Sequence, residues 1–249
     1  MDLYPDLRWI SDQPADGPVN MARDEAILLS VSEGHAPATL RFYGWSPPTI
    51  SLGYFQSYSD YVALPQPAGS LPVVRRLTGG GAILHDIELT YSLTLPLSHP
   101  LLSPCGANAL YDVVHDAFAR YLTSLGLRLT KGPHQSGGAS HRGPFFCFER
   151  HSQYDLLAEG RKLMGSAQRR LRTAVLQHGS LILSSRFDQQ RCATVAEYAP
   201  LAVNDWFPQL VEGITRTPAG EPTQLSEGEL EMAERLEAKY RNADWTCRR

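Results

Sequence analysis

The sequence predicts one α+β domain, in which a largely antiparallel or mixed sheet is flanked by helices. Three observations lead to this fold class: short β-rich runs follow one another closely, two long segments have helical character, and 249 residues can bury a sizeable core. Within a single domain over residues 1–249, we expect a core over about 8–210 and a C-terminal helical extension over about 222–249.

The first predicted helix runs from Asn20 to Gly34. Asn20 can cap its amino terminus and Gly34 can end it. Asp24 and Glu25 suit its first turn, because acidic side chains stabilise the positive end of a helix. Short β-rich runs come next, and their close spacing favours antiparallel pairing. These runs are at 39–45, 49–55, 73–77, 82–85 and 89–95.

The clearest helix is predicted over 107–126, where apolar residues keep the three-four spacing of one buried face. After a strand at 127–130, the chain forms a hairpin that turns at AEGRK (158–162). A further strand is predicted at 174–183. Near the end, Ser226 and Glu229 have the spacing of a capping box, which predicts a terminal helix.

Charge and composition exclude several kinds of partner. The net charge of -3 and the pI of about 6.2 give no basic footprint for nucleic acid. No apolar run approaches the roughly 18–20 residues of a membrane span, and the acidic start lacks an apolar signal segment. We therefore expect a cytoplasmic protein with no membrane partner. The cysteines are scattered without a C-x-x-C pair, which predicts neither a disulfide framework nor a metal site; they are Cys105, Cys147, Cys192 and Cys247.

Three consecutive glycines, Gly79, Gly80 and Gly81, interrupt the run RRLTGGGAILHD. The spacing fits neither a Walker A loop nor a dinucleotide fingerprint. One interpretation is a tight turn between two strands. The other is a backbone platform whose N–H groups meet a carbonyl or phosphate, with Arg75 or Arg76 near an anionic group.

The longer segment RRLTGGGAILHDIELTYSL resembles the signature loop of the lipoate–protein ligase A and octanoyltransferase family, which has the biotin/lipoate ligase fold. Supporting segments occur in the expected order over roughly residues 8–185: NMARDEAIL, RFYGWSPPTISLGYFQ, GRKLMGSAQRR and LQHGSLIL. The resemblance implies that an octanoyl or lipoyl chain lies on the three glycines, because β-carbons would collide with it. His85 and Asp86 would then pin the loop by hydrogen bonds or take part in the chemistry directly.

The segment FFCFERHSQYDLLAEGRKLMGSAQRR resembles the cysteine-dependent octanoyl-carrier-protein:protein N-octanoyltransferases of that family. Cys147 and Lys162 fall on the nucleophile and its partner lysine. A free thiol is mostly protonated at neutral pH and only the thiolate attacks, so a neighbouring ammonium can activate the cysteine. We expect oxyanion donors around Gly165 and Ser166 or in the glycine loop. His151 occupies a position where this subgroup usually has proline. It would be either an additional base or a surface residue without a function in the reaction.

The resemblance implies an octanoyltransferase that needs no cofactor beyond the phosphopantetheine of acyl carrier protein, its acyl donor. The acceptor would be a lysine of a lipoyl domain, such as the glycine-cleavage H protein or a 2-oxoacid dehydrogenase E2. The alternatives are a lipoate–protein ligase that uses ATP and magnesium, an amidotransferase between lipoyl domains, and a non-catalytic acyl-binding protein. Seven basic against three acidic residues from Arg142 to Arg172 form either a solvated face or a dock for acidic partners.

Overall fold

The computed structural model describes residues 7–102, 106–133, 144–201 and 205–249, to which all structural statements refer. Its strands are β1 (Leu7–Ser11), β2 (Ala38–Tyr43), β3 (Thr49–Leu52), β4 (Val73–Arg75), β5 (Ile83–His85), β6 (Glu88–Pro96), β7 (Leu129–Lys131), β8 (Leu156–Ala158), β9 (Arg161–Arg170) and β10 (Ala174–Ile182). Its α-helices are α1 (Gly17–Ser32), α2 (Tyr58–Val62), α3 (Ala109–Ser124), α4 (Phe207–Thr215), α5 (Glu227–Arg241) and α6 (Ala243–Thr246).

The strands form two sheets. The main sheet has the order β1-β2-β6-β10-β9-β8-β7, in which β1 and β2 are parallel and the remaining neighbours antiparallel. The small sheet has the order β4-β3-β5, with β3 parallel to β4 and antiparallel to β5. The predicted α+β class with a largely antiparallel or mixed sheet is therefore confirmed.

The main sheet lies between two helical layers. Leu40 and Phe42 alternate with Arg41 and Tyr43 along β2, so the two pairs face opposite sides. The first pair joins the core cluster that holds α3 and α4, whereas Tyr43 joins the cluster that holds α1 and α5. No helix in the described ranges is long and apolar enough to cross a membrane.

The start of α1 differs from the prediction. Asp16, rather than Asn20, caps the helix, because its carboxylate accepts a hydrogen bond of 3.0 Å from the Val19 N–H. Asn20 is buried one turn later, and its amide donates to the backbone carbonyls of Ala15 and Gly44. Asp24 is also buried, so it does not act as an exposed first-turn carboxylate.

The carboxyl-terminal helix α5 packs onto α1. The predicted capping box is present at the start of α5, where Ser226 and Glu229 exchange hydrogen bonds. Near the other end of α5, Lys239 and Tyr240 bind the Glu25 carboxylate at 2.7 and 2.8 Å.

Helix α4 was absent from the sequence-based prediction. The proline at its start suggests an interruption of a helix, but the first turn of a helix tolerates proline.

Candidate active site

A cavity lies where the small sheet meets the centre of the main sheet. It contains about 470 Å³ of empty space, including space that is open to solvent. Its walls come from α1, from the segment around the glycine triplet, from the turn at Cys147 and from β9 and β10. The predicted site residues that line it are Arg76, Gly80, His85, Cys147, Gly165 and Ser166.

Cys147 begins a short 3-10 turn that is fastened to the small sheet. Its N–H donates to the Ala82 carbonyl at 2.7 Å, and the Ala82 N–H donates to the Phe145 carbonyl at 3.0 Å. These bonds hold the cysteine beside the glycine loop. Lys162, on the neighbouring strand β9, reaches across so that its Nζ lies 3.6 Å from the Cys147 Sγ.

Lys162 is not a solvated hairpin lysine, because only 3% of its surface is exposed. Burial alone would lower its pKa, but the negative charges of Cys147 and Asp155 outweigh burial and raise that pKa above the usual 10.5. The ammonium therefore stays charged at neutral pH. A buried ammonium at this distance is placed to balance the negative charge of an attacking sulfur.

Asp155 completes this arrangement and was not identified from the sequence. Its carboxylate lies 2.9 Å from the Lys162 Nζ and accepts a hydrogen bond of 2.7 Å from the Ser152 N–H. Both side chains of the pair are nearly fully buried. The sequence signal that could have identified Asp155 is its position as an acidic residue just before the hairpin that carries Lys162.

We expect Asp155→Asn to narrow the pH range over which Cys147 reacts. The substitution removes one of the charges that raise the Lys162 pKa, so burial lowers that pKa and the ammonium is lost at lower pH. The alkaline fall in the rate of acylation should move to lower pH than in the parent enzyme. Stability should also drop by about 3–5 kcal/mol, because the buried lysine loses its partner.

Rapid-quench acylation rates across pH and thermal denaturation would measure both effects. Asp86→Asn is the matched control, because Asp86 pairs with the exposed Arg186 at 2.8 Å and does not line the cavity. An alkaline limb of Asp155→Asn that coincides with that of the parent would contradict the expected role.

The three glycines have different surroundings. A β-carbon on Gly81 would lie 3.0 Å from the backbone N and Cα of Cys147. Gly80 has a φ of +91°, and its β-carbon would lie 3.9 Å from the Cys147 Sγ. A β-carbon on Gly79 would meet no protein atom within 4 Å. Contacts and backbone conformation within the protein therefore explain the glycines at positions 80 and 81. That a bound acyl chain lies on all three glycines stays a prediction.

Gly165 makes room for the lysine. A β-carbon there would lie 2.3 Å from the Lys162 Cε and 2.7 Å from its Nζ. The side chain of Lys162 therefore folds across the bare backbone of β9 on its way to Cys147. This contact gives Gly165 a positioning function that the sequence prediction, which treated it as part of the oxyanion site, did not include.

The two consecutive arginines have separate positions. Arg75 does not line the cavity; it donates to the backbone carbonyls of Gly53, Gln56 and Thr246 at 2.7 to 3.0 Å. Arg76 lines the cavity and donates to the Gly79 and Gly81 carbonyls, both at 2.7 Å. Burial lowers the Arg76 pKa to about 10, so this guanidinium is still a cation near Cys147 at neutral pH.

His85 is held on both sides. Its Nδ1 lies 2.7 Å from Glu88 Oε1, its Nε2 lies 2.7 Å from Ser51 Oγ, and its ring stacks on Trp45 with centroids 3.8 Å apart. Burial lowers the pKa of His85 despite the neighbouring carboxylate. Both ring nitrogens are thus used by the protein, an arrangement that suits pinning the loop.

A second buried network below the glycine loop was missed from the sequence. His178 lines the cavity, with its Nε2 at 2.6 Å from Thr78 Oγ1 and its Nδ1 at 3.1 Å from Asp24 Oδ2. Burial alone would raise the Asp24 pKa, but the hydrogen bond from His178 and the charge of Arg41 lower it. These hydrogen bonds therefore join the segment before the glycine loop to β10 and α1.

Several sequence-based expectations concern residues outside this cavity. Cys105 and Arg142 lie outside the described residues. His151 is partly buried and does not line the cavity. Within the predicted basic segment, Arg161 is paired with Glu197 at 2.5 Å, so part of the excess charge is neutralised and the docking function stays a prediction. In the described ranges, no three His, Cys, Asp or Glu side chains come together as a metal site would require.

Comparison with known proteins assigns this chain to a family. Residues 16–203, most of the chain, match the family described as the lipoyl protein ligase A/B catalytic domain. The chain belongs to this family. The resemblance predicted from the glycine loop and its supporting segments is therefore confirmed.

The named relatives are octanoyltransferases. Octanoyltransferase LipM of Moorella thermoacetica is 39% identical over 268 residues, which cover 97% of this chain and 98% of the relative. Octanoyltransferase LipM of Staphylococcus aureus is 32% identical over 271 residues, with coverage of 97% and 98%. The prediction that this family member is an acyltransferase is confirmed.

Solved structures share the fold. Protein Ta0514 from T. acidophilum has a TM-score of 0.80 at 24% identity, covering 97% of this chain and 99% of that chain. Lipoate-protein ligase A bound with ATP has a TM-score of 0.78 at 22% identity, covering 96% and 98%. A bipartite ligase from Thermoplasma acidophilum, described together with its E2 lipoyl domain, has a TM-score of 0.73 at 22% identity, covering 96% and 95%. At these identities the likeness establishes the fold alone, which is the predicted biotin/lipoate ligase fold.

Proposed function

We propose that this protein transfers an octanoyl group from acyl carrier protein to a lysine of a lipoyl domain through a thioester on Cys147. The observation that carries the proposal is the buried Lys162 ammonium, 3.6 Å from the Cys147 Sγ. The names of the relatives support the identity of the acyl group. Since the donor brings its own phosphopantetheine, the reaction needs no resident cofactor.

In the first half-reaction, the Cys147 thiolate attacks the thioester carbonyl of the octanoyl carrier protein. A bond forms between Sγ and the carbonyl carbon, the bond to the carrier sulfur breaks, and the carrier thiolate leaves and takes a proton from water. One thioester replaces another, so the activation of the acyl group is conserved without ATP. Lys162 balances the charge of the attacking thiolate.

The glycine loop is the proposed oxyanion site. In the described part of the chain, no hydrogen bond uses the backbone N–H groups of Gly79, Gly80 or Gly81. Gly80 lies close enough to Cys147 that its β-carbon would come within 3.9 Å of Sγ. Fixed N–H donors beside the nucleophile are suited to the charge that develops on the thioester oxygen. Arg76 keeps the loop in place through the two carbonyls that it binds.

The apolar part of the cavity is the proposed acyl site. Its apolar lining residues are Met21, Tyr43, Trp45, Ile83, Phe148 and Ala167. An octanoyl chain buried there would gain about 0.8 kcal/mol for each methylene removed from water. This contribution favours a medium-chain donor over a short-chain donor.

In the second half-reaction, the lysine of a lipoyl domain attacks the octanoyl-Cys147 thioester. The C–N bond forms, the C–S bond breaks, the amine loses one proton that ends on water, and Cys147 is regenerated as a thiolate beside the Lys162 ammonium. Candidate acceptors are the glycine-cleavage H protein and a 2-oxoacid dehydrogenase E2. The structural neighbour described with its E2 lipoyl domain supports this acceptor class.

Intact-protein mass spectrometry after incubation with octanoyl carrier protein, without ATP, tests the proposal. We expect one octanoyl adduct on the parent protein, removable by hydroxylamine, and none on Cys147→Ala. Cys192→Ala is the matched control and should still form the adduct. Burial raises the Cys192 pKa to about 11, so this thiol stays protonated and unreactive at neutral pH.

Two results would overturn the proposal. An adduct of equal yield on Cys147→Ala would place the chemistry elsewhere. Absence of any adduct, together with octanoylation of a lipoyl domain from free octanoate once ATP and magnesium are added, would identify a ligase.

A further inference from the structure

A chain of hydrogen bonds behind the cavity ends on the Ser166 hydroxyl. Its members lie on three elements: His115 on α3, Tyr91 on β6, and Ser166 on β9. The His115 Nε2 lies 2.6 Å from Ser166 Oγ, and the Tyr91 hydroxyl lies 2.7 Å from the same atom. His115 and Tyr91 are fully buried, whereas Ser166 is only partly buried and lines the cavity that Cys147 also lines.

The direction of the hydrogen bond from Ser166 to His115 is fixed at the histidine end. The His115 Nδ1 contacts the backbone carbonyl of Tyr154, and a carbonyl can only accept, so the proton of the neutral ring is on Nδ1. The Nε2 atom therefore carries a lone pair and accepts the hydroxyl hydrogen of Ser166. Burial lowers the pKa of His115, which favours this neutral form.

The direction of the hydrogen bond between Tyr91 and Ser166 is fixed in the same way. The Gln177 amide nitrogen donates to the backbone carbonyl of Leu110 at 3.1 Å and to the Tyr91 oxygen at 2.7 Å. The Tyr91 hydroxyl hydrogen is then directed to Ser166 Oγ. A serine hydroxyl has one hydrogen and two lone pairs. Ser166 thus gives its hydrogen to His115, accepts one from Tyr91, and keeps one lone pair.

We propose that Ser166 accepts the proton of the attacking lysine amine in the second half-reaction and passes its own proton to His115. This inference rests on the proposed octanoyl transfer. As the C–N bond forms, the amine proton moves to Ser166 Oγ while the hydroxyl proton moves to His115 Nε2. The C–S bond then breaks and Cys147 leaves as a thiolate beside Lys162. After the amide product departs, His115 returns the proton through Ser166 to water.

The two halves of the reaction differ in their need for this relay. A thiolate attacks in the first half and has no proton to lose, so Ser166 and His115 are not required there. A neutral amine attacks in the second half and must lose a proton before the amide is stable. The Cys147–Lys162 pair supplies no base for that step, because the Cys147 sulfur is acylated and the Lys162 ammonium is paired with Asp155 at 2.9 Å.

Ser166→Ala and His115→Asn test the relay when the two half-reactions are timed separately. We expect octanoyl-Cys147 to form in both variants, with a loss in its rate of formation that is much smaller than the loss in its aminolysis. Its aminolysis at saturating lipoyl domain should slow by about 10²-fold or more, the usual contribution of a positioned proton acceptor. Cleavage of the same thioester by hydroxylamine, a strong nucleophile that needs no enzymatic base, should keep the parent rate.

Two further variants separate a relay from a structural function. Tyr91→Phe removes the hydrogen bond to Ser166 but leaves His115 in place, so its aminolysis should slow far less than that of Ser166→Ala. His35→Asn, at an exposed histidine paired with Glu33, is the matched control for the histidine change. Parent rates of aminolysis in Ser166→Ala would overturn the relay, as would equal slowing of aminolysis and hydroxylamine cleavage. Failure of the parent protein to form octanoyl-Cys147 would instead overturn the proposed function.

Discussion

Replacing Lys162 with methionine is expected to slow acylation of Cys147 by about 10²-fold or more at pH 7. Loss of the ammonium removes the buried positive charge that lies 3.6 Å from the Cys147 Sγ and balances the charge of the attacking sulfur. The charge that develops beside Cys147 in the transition state also loses a buried partner. Stopped-flow or quench measurements of octanoyl-enzyme formation at that pH would measure this loss.

A second variant distinguishes lost chemistry from lost stability. Lys162→Met alone leaves the Asp155 carboxylate buried without its partner, which costs about 3–5 kcal/mol in the free energy of unfolding. The double variant Lys162→Met with Asp155→Asn removes that unpaired charge and should regain most of the stability. Its acylation rate should stay low at pH 7. A double variant that recovers both stability and rate would show that Lys162 acts only through the fold.

The fold was predictable because its sequence signals are local. The capping box at Ser226 and the apolar periodicity of α3 each depend on a few neighbouring residues, and both elements are present where expected. Errors arose where a distant contact decides the outcome. Asn20 has the chemistry of a helix cap, but its amide is used by Ala15 and Gly44, and Asp16 takes the capping position.

The site was predictable only in part, for the same reason. Cys147 and Lys162 were identified because a short segment contains both and resembles a known arrangement. Asp155, His178 and His115 were missed, since their functions depend on contacts between elements that are far apart in the chain. His115 lies in the amphipathic helix α3, and its contacts with Ser166 and Tyr154 reveal a directed hydrogen bond.

Arg75 and Arg76 show most clearly that residue type alone does not decide which side chain reaches the site. Both precede the glycine triplet, and both fit an anion site equally well by residue type. Strand alternation directs them to opposite sides, so Arg76 binds the glycine-loop carbonyls while Arg75 binds the carboxyl-terminal segment at Thr246. Arg76 therefore belongs to the site and Arg75 to the packing of α6.

Two alanine substitutions within the glycine triplet are expected to have different effects on stability and on the rate of acylation. Gly81→Ala should lower both stability and the acylation rate, because its β-carbon would displace the Cys147 backbone, which lies 3.0 Å away. Contacts of 3.0 Å require the neighbour to move by a few tenths of an ångström, so the loss in rate should be smaller than the roughly 10²-fold that a displacement of about 1 Å can cost. The loss should be the same for octanoyl and acetyl donors, since it is the nucleophile that moves.

Gly79→Ala is the matched partner of Gly81→Ala, because its β-carbon meets no protein atom within 4 Å. Its stability should equal that of the parent, and only a ligand can make the substitution harmful. If the acyl chain lies on this glycine, as the resemblance implies, the octanoyl donor should react more slowly and the acetyl donor should not. A rate with the octanoyl donor equal to that of the parent would show that the chain lies elsewhere in the cavity. Unchanged stability of Gly81→Ala would show that the turn at Cys147 relaxes around the added carbon.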